Sequence, residues 1–313
     1  MSLPPPKDRG LIPPPGERRR FRRALASQAK GLGQRIASGE DAGITQQETT
    51  ITETVLLNLH GSLGDRLSIK PLTQRDEGRR GADWVWCVGG PHGWFSFYVQ
   101  AKKLKEGGYD FGFKSGDGGR QIERLIATAS RARVQPVYVL YNPTRPRARY
   151  SLRRCAGQSG SDSFTFVSAF AAFALLGERN SPRVSVARVA RHAHPWACLA
   201  GCPRDRRAGT RRDMNWPPDI PPLTDLPPGV DVATDLSELL LSQTADAAIE
   251  TENEETFDGM TRVARDTAAS AYSSEPPLWV TNPADALGMW HEGQAIDDRI
   301  PEPSVIVTQQ FVA

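Results

Sequence analysis

An acid, an amide and an amine stand in a suggestive pattern between Gly81 and Lys103. Asp83 heads an apolar run rich in Trp and Val. A turn of Gly89, Gly90, Pro91 and Gly93 follows, and a second apolar run ends in Gln100-Ala101-Lys102. Aromatic and β-branched residues suit a pleated, mostly buried surface, so the two runs predict a hairpin. Side chains alternate faces along a strand, which points Gln100 and Lys102 one way and Ala101 the other. Asp83 precedes Gln100 by 17 positions, a hairpin's worth. The hairpin thereby brings a carboxylate, an amide oxygen and an ammonium to the mouth of a sheet. That set suits a divalent cation and a phosphodiester. Mg²⁺ prefers oxygen ligands and keeps several waters. A bound metal lowers the pKa of its water, and an ammonium orients that water or neutralises the charge growing in the transition state.

The neighbouring elements must hold this group in place. Gln46 to His60 reads as a helix with Ile51, Val55, Leu56 and Leu59 on one face. Glu48 falls on that face, where a buried carboxylate needs a partner. It reads equally as a helix-start residue favoured by the macrodipole. Glu53 sits at the edge of the stripe. A short strand, Leu67 to Leu72, and a polar loop, Thr73 to Arg80, lead into the hairpin. Beyond it, Lys103 to Gly119 is glycine-rich, but no Gly-Lys-Ser/Thr opens the next helix, which excludes a Walker phosphate loop. Arg120 to Arg133 is helical, with Ile122, Leu125, Ile126 and Ala129 on its apolar face, and Val137 to Tyr141 is a strand ending at Asn142-Pro143. Helix, three strands, helix, strand predicts an α/β fold with a mixed central sheet flanked by helices.

In this order of elements, with Glu on the first helix, Gly-x-Asp on one strand and Gln-x-Lys on the next, the chain resembles the PD-(D/E)xK restriction-endonuclease-like nucleases. Its Gln variant is similar to that of the Mrr-type restriction enzymes. The resemblance covers roughly Gln46 to Tyr141 and implies an αβββαβ core and Mg²⁺- or Mn²⁺-dependent cleavage of DNA, in restriction, phage defence or repair. It assigns Asp83 as the central metal-binding aspartate, Lys102 as the catalytic lysine, and Glu48, or alternatively Glu53, as the first-helix glutamate. Gln100 stands where most members have a second acidic ligand, so this site holds less negative charge. Gln121 occupies a position where related nucleases carry a polar residue facing the site. A catalytically inactive nucleic-acid-binding protein on the same fold is the alternative, and a homodimer is compatible with either.

The remainder of the chain divides by composition. Residues 1–45 are Pro- and Arg-rich, with Arg18, Arg19, Arg20, Arg22 and Arg23 in a cluster. Residues 46–200 form the expected nuclease-like domain, residues 201–303 a Pro-rich, acidic, flexible region, and residues 304–313 a further strand. No Lys or Arg occurs between Arg212 and Arg262, so a basic front and an acidic rear point the front half toward a polyanion. Ser163 to Gly177 reads as one buried helix, too short for a membrane span of roughly 20 residues. His192, His194, Cys198 and Cys202 lie close together, but their spacing is a loose match for zinc, and buried reduced thiols are the expectation. Prolines stand where a signal peptide needs an apolar core, so the chain reads as cytoplasmic.

Overall fold

The computed structural model describes residues 15–63, 67–71, 82–90, 93–114, 118–143, 163–177, 182–200, 231–250, 262–267, 271–273 and 305–310. The Pro-rich start, the Thr73–Arg80 loop, Cys155, Cys202 and the Asn215–Pro228 stretch lie outside these residues. The elements in chain order are α1 (Pro15–Asp41), α2 (Glu48–Leu63), β1 (Leu67–Pro71), β2 (Trp84–Gly90), β3 (Gly93–Lys103) and β4 (Gly108–Asp110). They continue with α3 (Gln121–Ala132), β5 (Gln135–Tyr141), β6 (Phe164–Ser168), α4 (Ala169–Leu176), β7 (Arg183–Ser185), α5 (Val186–Val189) and β8 (His194–Pro195). A 3₁₀ turn (Trp196–Ala200), α6 (Asp231–Glu250), β9 (Tyr272–Ser273) and β10 (Val305–Gln310) complete them.

The period-2 alternation of the central strands builds a sheet with two apolar faces. Trp84 and Trp86 of β2, with Phe95, Phe97, Val99 and Ala101 of β3, lie under α1 and α2. Val85, Cys87 and Tyr98 look the other way, with Tyr138 and Leu140 of β5, toward Ile122, Leu125 and Ala129 of α3 and the alanines of α4. The result is a mixed α/β fold with helices on both faces. The strand order is β1-β10-β2-β3-β5-β6-β8, with β9 adding to β3. β2 and β3 form the expected hairpin, antiparallel, with Trp84 opposite Val99. β3 runs parallel to β5 and sets Gln100 beside Tyr138.

Several elements depart from the sequence reading. β10 does join the sheet, but between β1 and β2, parallel to β2 and antiparallel to β1. The three early strands are therefore not contiguous in space. Ser163 to Gly177 is not one helix: Phe164, Thr165, Phe166 and Val167 pair with β5 as a strand, and only the alanine-rich remainder coils. Aromatic and β-branched side chains favour the pleat, whereas alanine has the best helix propensity. Packing also crosses the boundary drawn at residue 45. Phe21, Leu25, Ala29, Leu32 and Ile36 of α1 form a buried stripe in the same core as α2. The acidic segment, expected to be flexible, folds over 231–250 as α6. Leu240 and Ala247 are buried, and Gln243 Oε1 accepts a 2.7 Å hydrogen bond from the Ser168 amide at the start of α4. Among the described residues no helix is long and apolar enough to cross a membrane.

Candidate functional site

The end of β3 gathers the chemistry. Asp83 sits one residue before β2, and its own amide bonds to Val99 O at 2.8 Å, which continues the ladder and places it across from Gln100. Its carboxylate accepts Gln100 Nε2 on both oxygens, at 2.9 and 2.8 Å, and the Ala101 amide on Oδ2 at 2.7 Å. Gln100 and Lys102 share the face turned toward α3, and Ala101 packs under α1 and α2, as the alternation requires. Gln121, the first residue of α3, closes the group. Lys102 Nζ donates to Gln121 Oε1 at 2.7 Å, and Gln121 Nε2 donates to Gln100 Oε1 at 3.0 Å. Lys102, Gln121, Gln100 and Asp83 thus form one continuous hydrogen-bonded chain.

Glu48 reaches the same end of the sheet from the other face. It opens α2, and its Oε1 accepts the Lys103 amide at 2.9 Å, with the Lys105 ammonium 3.9 Å away. Nearby, Thr52 Oγ1 and the Tyr141 hydroxyl share a 2.8 Å hydrogen bond that ties α2 to β5. Glu53, the alternative first-helix acid, is exposed. The residue that joins the group is Glu48.

Sequence reasoning missed Asp110. A tight turn after β3 brings it back: Lys105 and Gly108 exchange backbone hydrogen bonds at 3.0 Å, and Glu106 and Gly107 both adopt positive φ (49° and 78°). That is the hairpin turn whose twist suits antiparallel strands. Gly108 also allows β4 to meet β7, since a Cβ there would lie 2.7 Å from Val184 O. Asp110 comes close enough to Lys102 to favour its charged form. Nothing in the local pattern of Gly-Tyr-Asp marks it out; only the turn does.

Burial sets the electrostatics. It pushes the Asp83 carboxyl up to about 7 from an ordinary 3.8, against the pull of the Ala101 amide and of Lys102, and the charge of Glu48 adds to the rise. Burial also pulls the Lys102 ammonium down from its usual value, opposed by Glu48, Asp83 and Asp110. Its Nζ lies 5.6 Å from the centre of the Phe113 ring, a cation–π contact. Tyr138, beside Gln100, is fully buried, and its hydroxyl has no hydrogen-bond partner among the described residues. Asp83 is therefore an acid whose burial is incompletely compensated. Two carboxylates and neutral amide oxygens are donors of the kind that Mg²⁺ and Mn²⁺ accept. Among the described residues no three of His, Cys, Asp or Glu gather as a metal-holding group.

The residues weighed for zinc are separated. His192 Nε2 lies 3.0 Å from Glu250 of α6, whereas His194, in β8 opposite Phe166, lies beside that ring. Cys198 is a buried, unbridged thiol in the core under α1, and Cys202 is outside the described residues.

Fold and site together define a mixed α/β protein with a partly buried acid–amide–amide–ammonium chain at one end of its central strands. The chain belongs to DUF6615, a family of unknown function, which it matches over residues 21–311. That span opens at Phe21, which α1 buries in the core, and closes just past β10. None of the curated proteins matches the chain.

Proposed function

We propose that this protein is a divalent-cation-dependent nuclease of the PD-(D/E)xK type that hydrolyses phosphodiester bonds in DNA. One observation carries the reading: the hydrogen-bonded chain from Lys102 through Gln121 and Gln100 to Asp83, with Glu48 anchored at Lys103 beside it. Asp83 and Glu48 would hold Mg²⁺ or Mn²⁺, assisted by the Gln100 oxygen. When bound, the cation supplies an activated water and neutralises charge on the phosphoryl oxygens. Lys102, buried and with a depressed pKa, holds or moves the proton of the attacking water, or stabilises the charge that develops. Gln121 positions Lys102. Such work belongs in the cytoplasm, where Cys87 and Cys198 stay reduced.

The basic residues of α1 support a nucleic-acid partner. Arg20, Arg23 and Lys30 are exposed, and the far end of the helix comes to the site through Glu40, which pairs with Lys103 at 3.6 Å. At 1.5 Å per residue, Arg20 lies about 30 Å from Glu40 along the helix, which is roughly nine base pairs of duplex. The non-catalytic alternative draws on a different observation: an Asp83 carboxyl that stays half-protonated near neutrality, with a neutral amide at position 100, anchors a cation weakly.

Incubation with supercoiled plasmid DNA separates the two. A nuclease nicks or linearises the plasmid with Mg²⁺ or Mn²⁺ and not with chelator, and Asp83→Ala and Lys102→Ala lose the activity while remaining folded. Salt-sensitive DNA retention without nicking by any form supports the binding protein instead.

A further inference from the structure

The ammonium of Lys102 has donors only, so whatever it touches must accept. Gln121 therefore turns Oε1 to it, at 2.7 Å. The amide of Gln121 then has only its NH₂ left for Gln100, whose Oε1 accepts at 3.0 Å. Gln100 in turn has only its NH₂ left for Asp83, and donates to both carboxylate oxygens. A donor-only ammonium at one end, and the Asp83 carboxylate with the Ala101 carbonyl at the other, thus fix the direction of the two amides between them. The consequence matters for cation binding. With this polarity Gln100 offers Asp83 hydrogens, whereas a cation held on Asp83 needs oxygen from Gln100.

We propose that Gln121 is a positioning residue that sets the polarity of this relay, such that turning both amides over is what presents oxygen to a cation beside Asp83 and releases the Lys102 ammonium toward the substrate. Rotating Gln100 brings its Nε2 to Gln121. Gln121 must rotate to accept it, and its own Nε2 then meets Lys102 Nζ, donor against donor. The Lys102–Gln121 hydrogen bond breaks. Lys102 keeps the Phe113 ring and the pull of Glu48, Asp83 and Asp110, and its protons become available. The relay rests on the cation-dependent reading above and adds to it a coupling: the lysine stays locked until the cation site is made.

The coupling has a sign that a merely structural glutamine lacks. Gln121→Leu removes the acceptor and donor that hold Gln100 nitrogen-first toward Asp83, and so costs the cation-free state more than the cation-bound one. Calorimetric titration of the full chain with Mg²⁺ and with Mn²⁺ is expected to show Gln121→Leu binding about 3- to 10-fold tighter than wild type, the worth of about one hydrogen bond. The gain is expected to vanish when Gln100→Ala is added. If wild type binds and Gln121→Leu binds equally or more weakly, the relay is overturned and cation binding survives. If wild type binds neither ion, the cation-dependent reading fails and takes the relay with it. Should Gln121→Leu not fold, wild type alone decides by nuclear Overhauser contacts. The Gln100 side-chain NH₂ protons are expected beside the Ala101 amide without Mg²⁺ and beside Gln121 at saturation; contacts that do not change overturn the proposal.

Discussion

Two carboxylates in this fold are surrounded by partners, and the partners treat them oppositely. Glu250, at the end of α6, is met by Arg188 Nε and His192 Nε2, each at 3.0 Å, and by Arg191 at 3.6 Å. Burial pushes its carboxyl up, but His192 and Arg188 outweigh burial and hold it below the usual range. Asp83 receives neutral amides from Gln100 and Ala101, and there burial wins. Glu250 is a finished ion pair that clamps α6 to the α5 region. Asp83 is unfinished: its charge is incompletely answered by the chain, which is the condition a bound cation would complete. A perturbed acid therefore marks a functional candidate when burial outweighs its partners, and one whose partners outweigh burial marks architecture.

The largest expected difference is in activity. Asp83→Ala and Lys102→Ala should lower the rate of DNA cleavage by about 10²–10⁴-fold, whereas Glu250→Gln should change it less than about threefold at a temperature where the fold is intact. Equal losses in a plasmid-nicking assay would erase the distinction. Glu48→Gln comes next, with a loss of about 10–100-fold and normal circular dichroism, as for a residue that orients or completes a metal site.

Stability should reverse the ranking. Glu250→Gln leaves Arg188 and His192 poorly answered and should cost about 1–3 kcal/mol in urea unfolding, while Asp83→Asn in chelator should cost less at pH 8, where the buried parent carboxyl is charged. The pH profile without cation reads the same contrast in another way. A carboxyl raised from 3.8 to about 7 contributes stability that is fully present below pH 3.8 and lost as the pH rises through 7. Wild type in chelator should weaken over that window, and Asp83→Asn should flatten the trend. A profile identical in both would show that Asp83 is ordinary.

The site was more legible in the sequence than the sheet around it. A period of two and a glycine-rich turn suffice to bring Asp83, Gln100 and Lys102 together, because register in a hairpin is local. Gln121 follows because it opens the next helix. The position of β10 was not legible, since a strand's neighbour more than 200 residues away is chosen by tertiary packing and leaves no mark in its own alternation. The stripe of α1 was present in the sequence but hidden by its arginines. Phe164 to Leu176 is apolar apart from Thr165 and Ser168, and a buried run carries no period to separate strand from helix. The direction of the Gln100 and Gln121 amides, and the arrival of Asp110, depend on atoms that only the folded arrangement brings into contact.

The ionisation of Asp83 itself tests the central claim most directly. In protein labelled with ¹³C at aspartate carboxyls and assigned through Asp83→Asn, the Asp83 resonance should titrate near pH 7 in chelator and well below that in saturating Mg²⁺. A midpoint that Mg²⁺ does not move would contradict the claim that this acid is poised for a cation.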